Sequence, residues 1–196
     1  MCQLLETIRL ENGVLQHLEY HNTRMLKALR TFYPNSRISL SQELAAKAPQ
    51  QGLFKCRVVY DVQIRKVEFK PYALPQIRSL KLIEADHIDY SFKFLERNAL
   101  NTLFNQRGKA DDILIVKNGL ITDTSFCNVL FYNGKHWLTP SSPLLKGTRR
   151  RFLLEKEIIH TADIRPQDIP NFSKLRLINA MIRFKDNVDI STQSVF

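Results

Sequence analysis

The sequence predicts an α+β fold in two domains, and three observations indicate it. Short apolar runs are separated by turn pairs such as Asn-Gly, which is typical of antiparallel strands. Other segments carry apolar residues at helical spacing. One segment, PYALP at 71–75, is rich in proline, which fixes φ and favours a stiff extended crossover. We therefore expect a small N-terminal α+β domain at 1–70, a linker at 71–77 and a C-terminal sheet domain at 78–196.

The N-terminal domain should contain two hairpins and two helices. Glu11-Asn12-Gly13 predicts the first turn, and Tyr33-Pro34-Asn35 should end the longer helix. The strands are expected at Cys2 to Leu10, Val14 to His17, 52–61 and 62–70, and the helices at Leu18 to Phe32 and Leu40 to Lys47.

The C-terminal domain should be dominated by strands. Asn118-Gly119 and Asn133-Gly134 are strong hairpin signals, because both residue types tolerate the positive φ of a type I′ turn. The strands are expected at Leu80 to Ala85, Ile113 to Lys117, Leu120 to Thr122, Asn128 to Tyr132, His136 to Thr139, Ile159 to Ile164 and Leu175 to Ile182, and the helices from near Phe94 to Phe104 and from Arg149 to Ile159.

Composition excludes several classes of protein. No apolar run is long enough to cross a bilayer, and we expect no signal peptide. Three scattered cysteines fit neither a disulfide framework nor a metal site, which points to the cytoplasm. The net charge of +10 favours anionic partners. A basic nucleic-acid-binding protein is one alternative, although the cations are spread along the chain and form no recognised binding motif.

Two features of the segment 111–154 are unusual and require an explanation. Asp123 is a carboxylate at the end of an apolar strand, where a solvated turn residue is the ordinary interpretation. Arg149, Arg150 and Arg151 place three cations in the first turn of a helix, where the helix dipole disfavours them. A bound phosphate at the Gly147-Thr148 helix start would explain these arginines, and so would side chains that fan out into solvent.

At this point the segment resembles a known family. Asp123 to Phe131, DTSFCNVLF, is similar to the E-x-x-x-x-N-[VL]-F signature of class IV aminotransferases, the pyridoxal-phosphate enzymes of fold type IV. The resemblance implies that Asp123 pairs with the pyridine nitrogen of the cofactor. LLKGTRR resembles the family's phosphate loop, which implies that Gly147 and Thr148 contact the cofactor phosphate.

Three further motifs extend the resemblance. ETIRLENGVLQHLEYHNTRM is similar to the family's N-terminal motif and implies that Arg24 binds the phosphate, whereas His21 keeps a structural interpretation. KFLER resembles the lysine motif of 4-amino-4-deoxychorismate lyases and selects Lys93 as the residue that binds the cofactor covalently. Asn179-Ala180-Met181 resembles the lyases' N-[AS]-[LM] turn, which also touches the phosphate; an ordinary turn is the alternative.

The resemblance implies a fold type IV enzyme, a small α/β sandwich plus a barrel-like domain carrying Lys93, shortened at both ends. The expected cofactor is pyridoxal 5'-phosphate, with no metal. The expected reaction is that of 4-amino-4-deoxychorismate lyase, giving 4-aminobenzoate and pyruvate for folate synthesis from a small anionic amine. Alternatives are a class IV aminotransferase acting on a branched-chain or D-amino acid, and a non-catalytic cofactor-binding relative. Arg57 and Arg97 are candidate substrate-binding cations, and a homodimer is expected by analogy.

Overall fold

A computed structural model describes residues 2–44 and 48–196 of the chain. These residues form two compact units, each with its own sheet. The first unit comprises 1–74 and 92–96, and the second comprises 75–91 and 97–196. The boundary between Leu74 and Pro75 falls inside the predicted linker at 71–77.

The first unit is a four-stranded antiparallel sheet with two helices, and its strand order is β2-β1-β3-β4. The strands are β1 (Leu4–Glu11), β2 (Val14–Leu15), β3 (Leu53–Tyr60) and β4 (Ile64–Pro71), and the helices are α1 (Leu18–Phe32) and α2 (Leu40–Leu44). The predicted α1 is confirmed residue for residue. The end of the second predicted helix, at 45–47, lies outside the described residues.

The core of this unit lies between the sheet and one face of α1. Met25, Ala28 and Leu29 recur at three- and four-residue spacing, so they share the face that is buried. Leu4 and Ile8 are four residues apart on β1, so their side chains point to the same face of the strand. Both pack in the same cluster. This burial fixes α1 against β1.

The segment that carries Lys93 belongs to this first unit, which corrects the prediction that the C-terminal domain carries it. Leu5 N–H donates to the Lys93 carbonyl at 2.9 Å, and Leu95 N–H donates to the Gln3 carbonyl at 2.9 Å. The rings of Phe92 and Phe94 pack on Phe32 of α1, at centroid distances of 4.8 and 5.7 Å. The predicted helix therefore does not begin near Phe94, because Phe94 forms a β-bridge with Leu4 of β1 and α3 starts only at Asn98.

The second unit is a mixed eight-stranded sheet with two α-helices. Its strands follow the order β10-β9-β8-β7-β6-β5, and β11 pairs with both β8 and β12. The strands are β5 (Leu80–Glu84), β6 (Asp112–Lys117), β7 (Leu120–Thr124), β8 (Asn128–Tyr132), β9 (Trp137–Pro140), β10 (His160–Ala162), β11 (Lys174–Ile178) and β12 (Asp189–Ile190), and the helices are α3 (Asn98–Phe104) and α4 (Thr148–Glu155).

Most strand predictions in this unit are confirmed within one or two residues. Asn118 and Gly119 have φ of 51° and 74°, as the predicted type I′ turn requires. Two predictions were wrong in a way that matters for the site. Strand β7 continues to Thr124, so Asp123 lies within the sheet and not in a solvated turn, and β11 stops at Ile178, so Asn179 begins the following turn.

Candidate active site

Asp123 lies at the centre of a buried hydrogen-bond network in the second unit. It is 5% exposed, and it pairs with Asn128 where β7 meets β8. Its Oδ1 accepts a hydrogen bond of 2.7 Å from Asn128 Nδ2, and its Oδ2 accepts one of 2.9 Å from the Leu145 backbone N–H. A carboxylate has about four lone-pair sites, so it retains capacity for another donor.

Burial raises the pKa of Asp123 to about 6. The hydrogen bonds from Leu145 and Asn128 and the charge of Arg150 act in the opposite direction and only partly offset the burial. A buried acid of this kind is stabilised in its ionised form by a cationic partner. A protonated pyridine nitrogen is such a partner.

Gly147 is required by a close approach and not by its backbone angles. Its φ of −64° is open to any residue, but a Cβ atom would lie 2.1 Å from Asn128 Oδ1. Asn128 Nδ2 also donates to the Leu145 carbonyl at 2.9 Å. One asparagine thus joins Asp123 to the loop that starts α4, where Gly147 is the N-cap and Thr148 the first, buried residue.

The three arginines of α4 have different environments. Arg150 is buried, and its Nη2 donates a hydrogen bond of 2.7 Å to the Pro140 carbonyl. Its Nε donates one of 3.2 Å to Thr139 Oγ1. Arg149 is buried with its guanidinium 5.8 Å from the Phe152 ring. Arg151 is exposed and pairs with Glu155. They do not all fan out into solvent, and at least Arg150 anchors the loop before α4.

Asn179 closes its own turn and contacts the turn after Asp123. Its Oδ1 accepts hydrogen bonds from the N–H groups of Met181 and Ile182 at 2.8 and 2.9 Å. Its Nδ2 lies 3.2 Å from Cys127 Sγ. The ladder between β8 and β11 pairs Ile178 with Asn128 and so explains this proximity. The half-buried Ala180 follows in the same turn.

Arg97 is directed at the same turn. Its Nη2 donates to the Ser125 carbonyl, and its guanidinium lies 5.9 Å from the Tyr90 ring. The second unit therefore brings together Asp123, Gly147, Thr148, Asn179 and Arg97, which the sequence analysis selected from segments far apart in the chain.

The first unit holds a second buried cluster, centred on Glu6 of β1. Glu6 is fully buried and accepts hydrogen bonds from Arg24 Nε at 2.8 Å and Arg24 Nη2 at 2.5 Å. Its Oε2 also lies 2.6 Å from His21 Nδ1. His21 and Arg24 are three residues apart on α1, so both reach Glu6 from one helix face.

Charge balance explains the ionisation of this cluster. Burial alone would raise the pKa of Glu6, but the Arg24 charge and the bonds from His21 and Arg24 outweigh it and hold the pKa at about 2. Burial lowers the pKa of His21, and the positive charges of Arg24 and Lys93 lower it further. The hydrogen bond to Glu6 and its negative charge raise this pKa and only partly offset the lowering. Lys93 is thus close enough to His21 to affect its ionisation.

Arg57, the other predicted substrate-binding cation, lies on β3. Its Nη1 donates to Glu68 Oε2 at 3.0 Å, and Lys66 and Lys70 contact the same carboxylate. Arg57 is therefore held in a cluster of ion pairs that joins β3 to β4.

Two residues of these networks were not selected from the sequence. Glu6 and Asn128 both lie inside the motifs that carry the family resemblance, at the Glu of Glu-Thr and the Asn of Asn-Val-Leu. Their position in the motifs was the available signal. Their partners lie 18 and 17 residues away, at Arg24 and Leu145, and only the fold reveals them.

Comparison with known proteins decides the family. Residues 3–184 match the model of the amino-transferase class IV family. The chain belongs to the class IV aminotransferase family. Members of this family are pyridoxal-phosphate-dependent enzymes, so the predicted fold type, cofactor and enzyme class are confirmed at the level of the family.

Three similar proteins illustrate the match. A Haemophilus influenzae protein described as uncharacterized is 38% identical over 185 residues, which cover 92% of this chain and 98% of that protein. The structure of a "putative 4-amino-4-deoxychorismate lyase" from Haemophilus somnus has 35% identity and a TM-score of 0.87, covering 94% of this chain and 98% of that one. A "putative amino-acid aminotransferase" from Mesorhizobium loti has 20% identity, a TM-score of 0.75 and coverage of 92% and 96%, which shows a shared fold.

Among residues 2–44 and 48–196, no group of three or more His, Cys, Asp or Glu side chains could hold a metal ion. Within the same residues, no helix has the length and apolar character needed to cross a membrane.

Proposed function

We propose that this chain of the class IV aminotransferase family is a pyridoxal-phosphate-dependent lyase that converts 4-amino-4-deoxychorismate into 4-aminobenzoate and pyruvate. The observation that carries the proposal is the near-complete, 35% identical match to the Haemophilus somnus protein of that name. The lysine motif KFLER and the Asn179-Ala180-Met181 turn support the same reaction.

Lys93 is assigned two roles. Its amine would hold the cofactor covalently, and it would move a proton from the substrate α-carbon to the carbon of the departing enolpyruvate. The Lys93 side chain is half-buried, and Phe92 and Phe94 flank it in the sequence. The uncharged amine is the form that acts as nucleophile and base.

Asp123 is assigned to the ring nitrogen. When bound, pyridoxal phosphate supplies a ring that accepts the electrons released as a substrate bond breaks. The buried Asp123 carboxylate, held by Asn128 and Leu145, would keep a proton on that nitrogen. It occupies the place of the family's Glu with a side chain one methylene shorter.

The remaining assigned residues bind the phosphate and orient the ring. Arg24 supplies a cation, and the start of α4 at Gly147 and Thr148 supplies backbone N–H groups where the helix dipole favours an anion. The Asn179-Ala180 turn is assigned to the same phosphate. Binding of this kind serves positioning, because substrate and transition state share it.

The test is pyruvate release from 4-amino-4-deoxychorismate, followed by coupling to lactate dehydrogenase. The wild type with cofactor should release pyruvate, and Lys93→Ala should not. Lys135→Ala, which changes an exposed lysine on a hairpin, is the control and should retain activity. A wild type that binds cofactor without releasing pyruvate would eliminate the lyase.

The same preparation tests the alternatives. Amino-group transfer from branched-chain or D-amino acids to a keto acid, without pyruvate release from the chorismate derivative, would make the protein an aminotransferase. Asn98 stands where branched-chain enzymes carry Tyr five positions after the lysine, which favours the lyase. Cofactor binding without either reaction would identify a non-catalytic relative, and steeply salt-dependent nucleic-acid binding without cofactor would identify a basic nucleic-acid-binding protein.

Two accompanying predictions concern assembly and location. We propose a homodimer, and light scattering coupled to size-exclusion chromatography should give twice the chain mass of 22.9 kDa. We also propose a cytoplasmic location, which cell fractionation would test.

A further inference from the structure

We propose that Glu6 is a positioning residue that sets the orientation of the Arg24 guanidinium for the cofactor phosphate. The inference rests on the proposed function, which assigns Arg24 to that phosphate. It adds a residue that touches neither substrate nor cofactor and acts through Arg24.

The contact between Glu6 and Arg24 fixes the orientation of the guanidinium plane as well as its distance from the carboxylate. Arg24 Nε reaches Oε1 at 2.8 Å and Arg24 Nη2 reaches Oε2 at 2.5 Å, so two parallel bonds join one edge of the guanidinium to both carboxylate oxygens. The guanidinium is a rigid planar fork. Holding one edge therefore determines where every other N–H of Arg24 points.

Glu6 is itself held from other directions. His21 Nδ1 lies 2.6 Å from Oε2, and Glu6 pairs with Val58 in the continuous ladder between β1 and β3. The carboxylate is fully buried and stays ionised, since its pKa is about 2. A group on a strand with locked neighbours is a more precise support than one on a loop.

The same strand also supports the segment with Lys93. Leu5, the residue before Glu6, donates its N–H to the Lys93 carbonyl at 2.9 Å. Adjacent residues of β1 therefore hold the two residues of the first unit that are assigned to the cofactor. If the ion pair of Glu6 and Arg24 only stabilised the fold, its loss should affect ligands with and without a phosphate equally. If it orients Arg24, its loss should affect only the ligand that carries a phosphate.

The experiment compares the dissociation constants of pyridoxal 5'-phosphate and pyridoxal, measured by absorbance titration of the apoprotein. Glu6→Asp keeps the charge but withdraws the carboxylate by one methylene, and Glu6→Gln keeps the shape but removes the charge. In both variants we expect binding of the phosphate ester to weaken about tenfold or more, as for the loss of one charge-assisted hydrogen bond, while pyridoxal binding is unchanged.

Two controls make the comparison specific. Glu11→Gln removes another carboxylate from β1, one that pairs with Arg9 at 3.2 Å, and should leave the preference for the phosphate ester intact. Arg24→Ala should weaken the preference at least as much as the Glu6 variants do, and adding Glu6→Asp to it should cause no further loss, because the two residues act as one unit.

Equal weakening of both ligands in the Glu6 variants, or an unchanged preference, would overturn the inference. If neither Glu6 variant folds, Arg24→Lys decides: it keeps a cation without the planar fork, and a wild-type preference in it would also overturn the inference. A wild type that binds neither ligand would refute the proposed function as well. A wild type that binds both equally would refute the phosphate assignments, and with them the role of Glu6, but would leave the assignment of Lys93 standing.

Discussion

Asn128 Nδ2 donates a hydrogen bond of 2.7 Å to Asp123 Oδ1, and the same nitrogen donates to the Leu145 carbonyl at 2.9 Å. One amide group thus joins Asp123 to the loop before α4. Replacing Asn128 by Ala should cost about 1–3 kcal/mol of stability, because buried acceptors lose their donor. Urea denaturation measures this, with Asn171→Ala at an exposed position as the control. A loss no larger than that of the control would contradict the role given to Asn128.

The close approach of Gly147 to Asn128 predicts a specific non-additive effect. Gly147→Ala places a methyl group 2.1 Å from Asn128 Oδ1, so the loop must shift and cofactor binding should weaken. Adding Asn128→Ala removes the obstacle, and the double variant should lose less stability than the sum of the single variants. The free energies of unfolding of the four proteins form the required cycle. Simple additivity would show that the two residues do not crowd each other.

The buried Asp123 predicts a pH dependence of the cofactor-free protein. Its pKa in the folded protein, about 6, lies above its ordinary value of 3.8, so the folded state binds the proton more tightly than the unfolded state. This contribution is present in full below about pH 4 and is lost as the pH rises through about 6, by roughly 3 kcal/mol at most.

Denaturation of wild type and Asp123→Asn between pH 4 and 7 isolates that contribution. Over this range the wild type should lose stability relative to the variant, and saturation with cofactor should remove the difference in slope, since a protonated ring nitrogen favours the ionised acid. Parallel curves for the two cofactor-free proteins would show that Asp123 titrates normally.

Arg150 and Arg151 are neighbours on α4 with opposite expected effects. Arg150 is buried and bonded to the Pro140 carbonyl, so Arg150→Ala should cost several kcal/mol and loosen the loop. Arg151 is exposed and pairs with Glu155 of its own helix, so Arg151→Ala should cost about 0.5 kcal/mol or less. Thermal melts of the two variants give the comparison. Similar losses would mean that Arg150 does not anchor the loop.

Local sequence signals predicted local structure well. The Asn118-Gly119 turn and helix α1 depend on residues within one or two turns of each other, and both were predicted correctly. The start of α3 was not, since the apolar residues near Phe94 fit a helix equally well. Contacts with Phe32, Gln3 and Leu5, more than sixty residues away in the sequence, hold this segment in a non-helical conformation.

The sequence likewise predicted one part of the candidate site, its residues, and not the other, the contacts among them. The motifs identified Asp123, Arg24 and Lys93 as candidate site residues, but the hydrogen bonds that hold them come from distant segments. Sequence order cannot reveal that Leu145 donates to Asp123 or that Glu6 holds Arg24, because those contacts arise from strand pairing and helix packing. Charge counting alone also treated Arg149, Arg150 and Arg151 as equivalent, whereas the fold gives each a different partner.

The covalent attachment of the cofactor to Lys93 is the central claim, and borohydride reduction followed by peptide mass spectrometry tests it most directly. In the wild type, reduction in the presence of pyridoxal 5'-phosphate should leave a stable adduct on the peptide containing Lys93. The adduct and the visible absorbance of the bound cofactor should be absent from Lys93→Ala. An adduct on a different lysine, or one that persists unchanged in Lys93→Ala, would contradict the account.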